Sequence, residues 1–323
     1  MSAIEFLKYG YLTIRPVFSV FVFCLLPLQV SAAAKYVGGE ACVQCHAEQV
    51  KLWQGSHHDL AMQHADENTV LGDFSGVEFT YAGITSKFYR KNDKFVIRTD
   101  GPDGELHDYE VRYAFGIVPL QQYLVELDGG RLQALTIAWD SRKKSDGGQR
   151  WFHLYPDDEI SFNDELHWTR ASFNWNGMCA ECHSTNLQKN YDSKTDSFKT
   201  SWSEIDVSCE SCHGPASNHV GWANKKPDER TGAYKGLAFL FDERDGIAWQ
   251  MDAKKGSAVR SHQRETDKEI EVCAQCHSRR GSISDDYSPG KPFLDHYMPR
   301  LLDQDMYFAD GQIQDEVYVY GSF

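Results

Sequence analysis

Four copies of one five-residue pattern constrain this chain more than any other feature. The pattern has two cysteines three positions apart and a histidine directly after the second. It reads CVQCH at residues 42–46, CAECH at 179–183, CESCH at 209–213 and CAQCH at 273–277. A chain of 323 residues with 9 Cys and 13 His is expected to contain about 0.01 such patterns by chance. The repetition therefore indicates one kind of site, built four times.

The chemistry of haem explains this spacing. Two thiols three positions apart add to the two vinyl groups of one haem, and the histidine that follows places its imidazole on the iron. The sequence therefore predicts four covalently bound haem c groups. The predicted attachment residues are Cys42, Cys45, Cys179, Cys182, Cys209, Cys212, Cys273 and Cys276. The predicted iron ligands that follow them are His46, His183, His213 and His277.

Other uses of paired cysteines explain the pattern less well. A Cys₄ zinc site would use two CxxC pairs, and the 26 residues between Cys182 and Cys209 lie near the zinc-ribbon range. Zinc, a thiol redox site or four disulfides would give no reason for a histidine after every pair. We therefore favour haem.

Each haem iron with two histidine ligands also needs a distal histidine. The candidates are the nine histidines outside the motifs: His57, His58, His64, His107, His153, His167, His219, His262 and His296. His58 lies twelve residues after His46, which is about 18 Å along a helix with Leu52 and Trp53 on its buried side. His219 follows His213 by six residues, through Gly214 and Pro215. Both spacings predict that these histidines serve the haem of another motif.

The first thirty-odd residues predict export. Lys8 and Arg15 precede an apolar run, and small residues follow it at 31–34, which is typical of a signal peptide over residues 1–32. We therefore expect a periplasmic protein, associated with a membrane only if this segment is not cleaved. The formal net charge of −14 argues against nucleic acid as a partner. A redox protein or a quinol-linked membrane protein fits the predicted cofactor better.

The stretch between the first two motifs has a β pattern. Aromatic and β-branched runs alternate with the turn signals KND, GPDG and DGG. We predict an α+β fold: a mainly helical and irregular, haem-packed part, with an antiparallel β meander inserted between motifs 1 and 2. The predicted domains are a signal peptide (1–32), a first haem segment (33–74), a β module (75–142) and a haem segment with motifs 2–4 (143–323). The β module is a docking surface, a lid or a plain insertion.

Two stretches, CHAEQVKLWQGSHHDLAM and CESCHGPASNH, resemble the cytochrome c-554 family of tetrahaem electron carriers. Others, among them PLQQYLVELDGGRLQALTIAWD and GGQRWFHLYP, resemble larger multihaem proteins in which a c-554-like part precedes tetratricopeptide repeats. The chain departs from this group by stopping at Phe323 without such repeats, so we expect either a fragment of a longer protein or a natural short form. The resemblance implies that His58, five residues after a tryptophan, and His219, in a GP…H tail, are distal ligands. His153 and His167 lie in resembling stretches and are the next candidates.

These observations together predict a periplasmic tetrahaem cytochrome that transfers electrons between redox partners, rather than a catalyst. The alternative is a multihaem oxidoreductase with one open haem site that acts on a small nitrogen or sulfur compound. The open site would be the haem of Cys179 and Cys182, near HWTRASFNWNGM. A third possibility is a haem-bearing scaffold or sensor whose β module binds a partner.

Overall fold

The computed structural model describes residues 33–300, 304 and 307–309. The predicted signal peptide and the strand-like run at the C-terminus lie outside the described residues. From Ala34 onward the described residues belong to one compact unit. The predicted division at residues 74 and 142 stays a prediction.

The helices are short. They are α1 (Glu40–Val43), α2 (Ala47–Trp53), α3 (Trp175–Met178), α4 (Ala180–His183), α5 (Cys209–His213), α6 (Ser217–Ala223) and α7 (Lys268–His277). Single 3₁₀ turns lie at Asp59–Ala61, Asp128–Gly130, Lys144–Asp146, Ala171–Phe173, Pro227–Glu229, Ala233–Gly236 and Phe293–Asp295.

Nine strands form one antiparallel sheet, called the large sheet below. They are β1 (Gln63–His64), β2 (Val77–Tyr81), β3 (Ile84–Lys91), β4 (Lys94–Asp100), β5 (Leu106–Phe115), β6 (Leu120–Leu127), β7 (Arg131–Ala134), β8 (Ile137–Asp140) and β9 (Arg150–His153). The order is β2-β3-β4-β5-β6-β8-β9, with β1 paired to β5 and β7 to β6. Tyr81 at the end of β2 stacks on His153 at the end of β9, with ring centroids 3.6 Å apart. The two outer strands thus approach each other, and the sheet nearly closes on itself.

Three two-stranded hairpins complete the strands. They pair β10 (Tyr191–Asp192) with β11 (Ser197–Phe198), β12 (Trp249–Asp252) with β13 (Ser257–Arg260), and β14 (Arg280–Ser282) with β15 (Tyr297–Pro299).

Alternating side chains and tight turns explain the large sheet. In β3 the buried Ser86 and Phe88 alternate with exposed neighbours, as expected for a strand with one buried face. Asn92 and Asp93 both have positive φ and join Lys91 to its partner Lys94, which is the two-residue hairpin turn that asparagine and aspartate favour. The enclosed core is aromatic: Phe74, Phe88, Phe95, Tyr123, Trp139, Trp151 and Trp168.

The predicted fold class is wrong in its proportions of helix and strand, because the protein is not mainly helical. The structure is 23% helical and 28% strand, and the nearly closed large sheet dominates it. The predicted meander at 75–142 is present as β2–β8, and the sheet extends beyond it to β1 and β9. The physical reason is that each CxxCH motif needs only one helical turn. The connections between motifs lack the long apolar stripe that makes a helix pack on protein.

The helix after the first motif is also shorter than predicted. α2 ends at Trp53, and Gly55 follows with a positive φ and donates its N–H to Asp59 Oδ2 at 2.7 Å. Leu52, predicted to be buried, is 82% exposed. His58 therefore follows a turn, and the helical distance of about 18 Å from His46 does not apply.

In the part of the chain that the structure describes, no helix has the length and apolar character needed to span a membrane.

Candidate haem-binding site

Each CxxCH motif lies in or beside a helical turn. Motif 2 begins at Cys179, between α3 and α4, and continues through α4. Motif 3 coincides with α5 and motif 4 with the end of α7, while motif 1 runs from the end of α1 to the residue before α2. In a helix, positions i, i+3 and i+4 share one face. Both thiols and the imidazole of a motif can therefore face one planar group. All eight described cysteines are free of disulfide bonds.

The four motifs meet in space although 226 residues separate motif 1 from motif 4 along the chain. The thiol of Cys42 in motif 1 lies beside that of Cys209 in motif 3, and the thiol of Cys182 in motif 2 lies beside that of Cys276 in motif 4. Gln275 Nε2 donates to Ser211 O at 3.1 Å, which joins motif 4 to motif 3. The motifs therefore form one cluster.

Two of the motif histidines face a second histidine. The ring centroids of His46 and His219 are 6.1 Å apart, and those of His58 and His277 are 6.2 Å apart. Two imidazoles on opposite sides of one metal ion, each with a metal–nitrogen bond of about 2 Å, have centroids about 6 Å apart. Both pairs thus have the spacing that two axial ligands of one iron require, and both join histidines of different motif segments.

Backbone carbonyls orient two of these rings. His219 Nδ1–H donates to Lys235 O at 2.9 Å, and His183 Nδ1–H donates to Ala61 O at 3.0 Å. Metal-binding histidines commonly donate their other ring N–H in this way, which leaves Nε2 as the ligand. Burial lowers the pKa of His58, His183 and His213. A lower pKa favours the neutral imidazole, which is the form that binds a metal.

The other two motif histidines lie beside phenylalanine rings. His183 has Phe115 at 5.7 Å, and His213 has Phe241 at 4.9 Å. Among the described residues, no histidine ring pairs with His183 as His219 pairs with His46. Motifs 2 and 3 therefore differ from motifs 1 and 4 in what lies beside the imidazole.

His153 and His167 lie in and beside the large sheet, and the structure does not bring them to a motif histidine. His153 Nε2 is 2.8 Å from Thr136 Oγ1, and its Nδ1 accepts the N–H of Tyr155 at 3.1 Å. His167 Nε2–H donates to Asp100 Oδ2 at 3.1 Å, and Nδ1 is 2.8 Å from Thr169 Oγ1. Both ring nitrogens of each histidine are thus engaged within protein.

One residue that the sequence did not single out holds the site together. Glu210, inside motif 3, is 1% exposed. Its carboxylate accepts the backbone N–H groups of Val37, Gly38 and Ala216 at 2.8–3.0 Å. The segment before motif 1 is thereby attached to motif 3. An acidic residue inside a CxxCH motif gives no sequence signal for this role, because its partners lie far away in the chain.

Two further bonds hold the His58 segment against motif 3. Trp53 Nε1 donates to Val207 O at 3.0 Å, and Val207 N donates to His58 O at 3.2 Å. The turn after α2 is thus fixed to the strand-like segment that enters motif 3. This contact holds His58 beside the segment that leads into motif 3.

Free paired thiols with a following histidine, clustered and with histidine pairs at iron-ligand spacing, are the arrangement expected of a c-type cytochrome. The family model described as cytochrome c554 and c-prime matches residues 41–77 and 138–214. Over these ranges the chain is similar to the c554-like cytochromes, as its sequence predicted, and this similarity supports covalently bound haem c, iron and electron transfer. The matched ranges include motifs 1–3, and most of the large sheet lies between them. No curated protein and no solved structure gives a significant match.

Proposed function

We propose that this chain is a periplasmic tetrahaem cytochrome that transfers electrons between redox partners. The observation that carries the proposal is the exchange of histidines between motifs. His219 follows motif 3 but faces His46 of motif 1, and His58 follows motif 1 but faces His277 of motif 4. Such exchange draws haems close together, as electron transfer from one haem to the next requires. The protein's part is to set axial ligands, spacing and burial, which tune the reduction potentials.

The proposed number of haems is tested by counting them. We expect the purified chain to retain its haem after acid–acetone extraction, because thioether bonds survive denaturation. The pyridine haemochrome absorbance should give about four haems per chain. Cys273→Ser with Cys276→Ser should reduce the count by one, and Ser278→Ala is the matched control with an unchanged count. A wild-type count of three or fewer would contradict the tetrahaem proposal.

The proposed partners are a redox protein or a quinol-linked membrane protein, and the proposed location is the periplasm. Support comes from the predicted signal peptide at residues 1–32 and from the acidic net charge of −14, which favours a neutral or basic docking surface. Osmotic-shock fractionation tests the location. Recovery of haem-loaded chain in the cytoplasmic fraction alone would contradict it.

A second candidate function is small-molecule chemistry at the haem of Cys179 and Cys182. The observation that favours it is that Phe115 lies beside His183 with no histidine ring near it among the described residues. His213 differs, because His46 and His219 lie near it. An iron without a sixth protein ligand is open to small molecules. We expect the reduced protein to bind about one carbon monoxide per chain, with the other haems unaffected. A Soret difference spectrum titrated with carbon monoxide measures this. Complete absence of binding would leave electron transfer as the sole proposed function.

A further inference from the structure

A cavity of about 300 Å³ lies beside the large sheet, apart from the CxxCH motifs. The turn between β2 and β3, the loop after β4 and residues 159–162 surround it. Its walls include Ile84, Ile160 and Phe162, and the exposed Glu159 and Ser161 stand at its rim. This volume is at the lower end of the range for small-molecule sites. Neither the haem chemistry nor the proposed electron transfer uses this cavity.

The Phe162 ring, which forms part of the cavity wall, packs against Gly104. A Cβ atom on Gly104 would lie 2.7 Å from the Phe162 ring, and Gly104 has a positive φ. The aromatic ring therefore packs directly on the backbone of the loop after β4. This close contact gives the cavity an aromatic face, which can contact a cation through its π electrons.

A buried aspartate, Asp100, belongs to the cavity wall as well. Asp100 is 8% exposed and also lines a smaller cavity of about 30 Å³, which has room for about one water molecule. Thr99 Oγ1 donates to Asp100 Oδ1 at 3.2 Å, and His167 Nε2–H donates to Oδ2 at 3.1 Å. These bonds orient the carboxylate, and each oxygen still has a lone pair for another donor.

The chain segments that line the cavity are rich in acidic residues, of which Glu159 lies at the cavity itself. The sequence from 155 to 167 and the loop after β4 contribute Asp157, Asp158, Glu159, Asp164, Glu165, Asp103 and Glu105. No lysine or arginine lines the cavity within the described residues. The nearby Arg170 donates to the backbone oxygen of Phe162 at 2.6 Å. A cleft lined by one sign of charge concentrates ligands of the opposite sign.

A metal ion fits these residues less well than an organic cation. No group of three His, Cys, Asp or Glu side chains is arranged to hold a metal in the described part of the chain. The walls are largely apolar, and one carboxylate is buried among them. An ammonium group on a short alkyl chain would match both features, because its charge would meet Asp100 and its carbon atoms would meet Ile84, Ile160 and Phe162.

We propose that this cavity binds a small organic cation, an alkylammonium or quaternary ammonium compound, with Asp100 as its counter-ion and Phe162 as its aromatic face. The test uses the haem-loaded full chain and isothermal titration calorimetry with choline and n-butylammonium. Their neutral counterparts, 3,3-dimethyl-1-butanol and n-butanol, are the ligand controls. We expect at least one cation to bind about tenfold or more tightly than its counterpart. Equal binding of cations and alcohols, binding of neither cation, or binding of calcium alone would overturn the proposal.

Variants locate the binding in this cavity. Asp100→Asn should weaken cation binding by about tenfold or more. Glu159→Gln at the rim should weaken it by about threefold through the lost charge. Glu48→Gln, an exposed acid on α2, should change nothing. If Asp100→Asn does not fold, Glu159→Gln and Phe162→Leu decide, and unchanged affinity in both would overturn the proposal. The haem spectrum should stay unchanged in the folded variants, so the outcome is independent of the haem count.

Discussion

Replacement of His58 by alanine is expected to convert one haem of the chain from low spin to high spin. The ring of His58 lies 6.2 Å from that of His277, at the spacing of two ligands on one iron. Loss of this ring would remove the sixth ligand from the haem attached at Cys273 and Cys276, and would leave the haem attached at Cys42 and Cys45 low-spin. Electron paramagnetic resonance of the ferric protein measures the number of low-spin centres, which should fall by one.

The neighbouring histidine provides the matched control. His57→Ala changes the same residue type one position earlier, and all low-spin signals should remain. His219→Ala should remove a different low-spin signal, because His219 faces His46. A crystal structure of His58→Ala that shows the haem of motif 1 without its distal ligand would contradict the pairing. An unchanged low-spin count would exclude His58 as a ligand.

Loss of the Glu210 carboxylate is expected to destabilise the folded protein. Alanine at this position would leave the N–H groups of Val37, Gly38 and Ala216 without their acceptor. A buried N–H group left unsatisfied costs about 1–3 kcal/mol, and of the three only that of Ala216 is buried, since water can reach those of Val37 and Gly38. We therefore expect the free energy of unfolding to fall by about 2 kcal/mol, and the melting temperature by roughly 5 °C.

Two substitutions make this expectation specific. Glu210→Gln keeps one side-chain oxygen as an acceptor and should lose less stability than Glu210→Ala. Glu48→Ala removes an exposed acid from α2 and should change the melting temperature very little. Thermal unfolding followed by the Soret band and by circular dichroism measures all three variants. Equal melting temperatures for Glu210→Ala and Glu48→Ala would show that the carboxylate does not hold the N-terminal segment.

The strands of the large sheet could be predicted from local sequence. The large part of the fold that this sheet makes up could not. The alternation of buried and exposed side chains in β3 and the Asn92–Asp93 turn are short-range signals. The predicted range of the meander therefore agrees closely with the observed strands. The large sheet nearly closes because β9 lies close to β2, with His153 stacked on Tyr81. This contact joins residues about 70 positions apart in the chain. Such closure is decided by packing of the aromatic core rather than by any one strand.

The histidines show the same difference between what local sequence predicts and what tertiary contacts decide. His153 and His167 lie in stretches that resemble a haem protein family, yet their rings bond to Thr136 and Asp100. A histidine is equally able to bind iron, accept a backbone N–H or pair with a carboxylate. Only its neighbours in space decide among these uses.

The sequence by itself determined the class of this protein, because covalent attachment of haem depends on residues that are adjacent in the chain. Two thiols and an imidazole within five positions share one helical face, wherever the motif lies in the fold. The tertiary structure decided which histidine faces which motif and how the N-terminal segment is held by Glu210. These contacts join residues up to about 220 positions apart, and no local spacing encodes a distance across the folded chain.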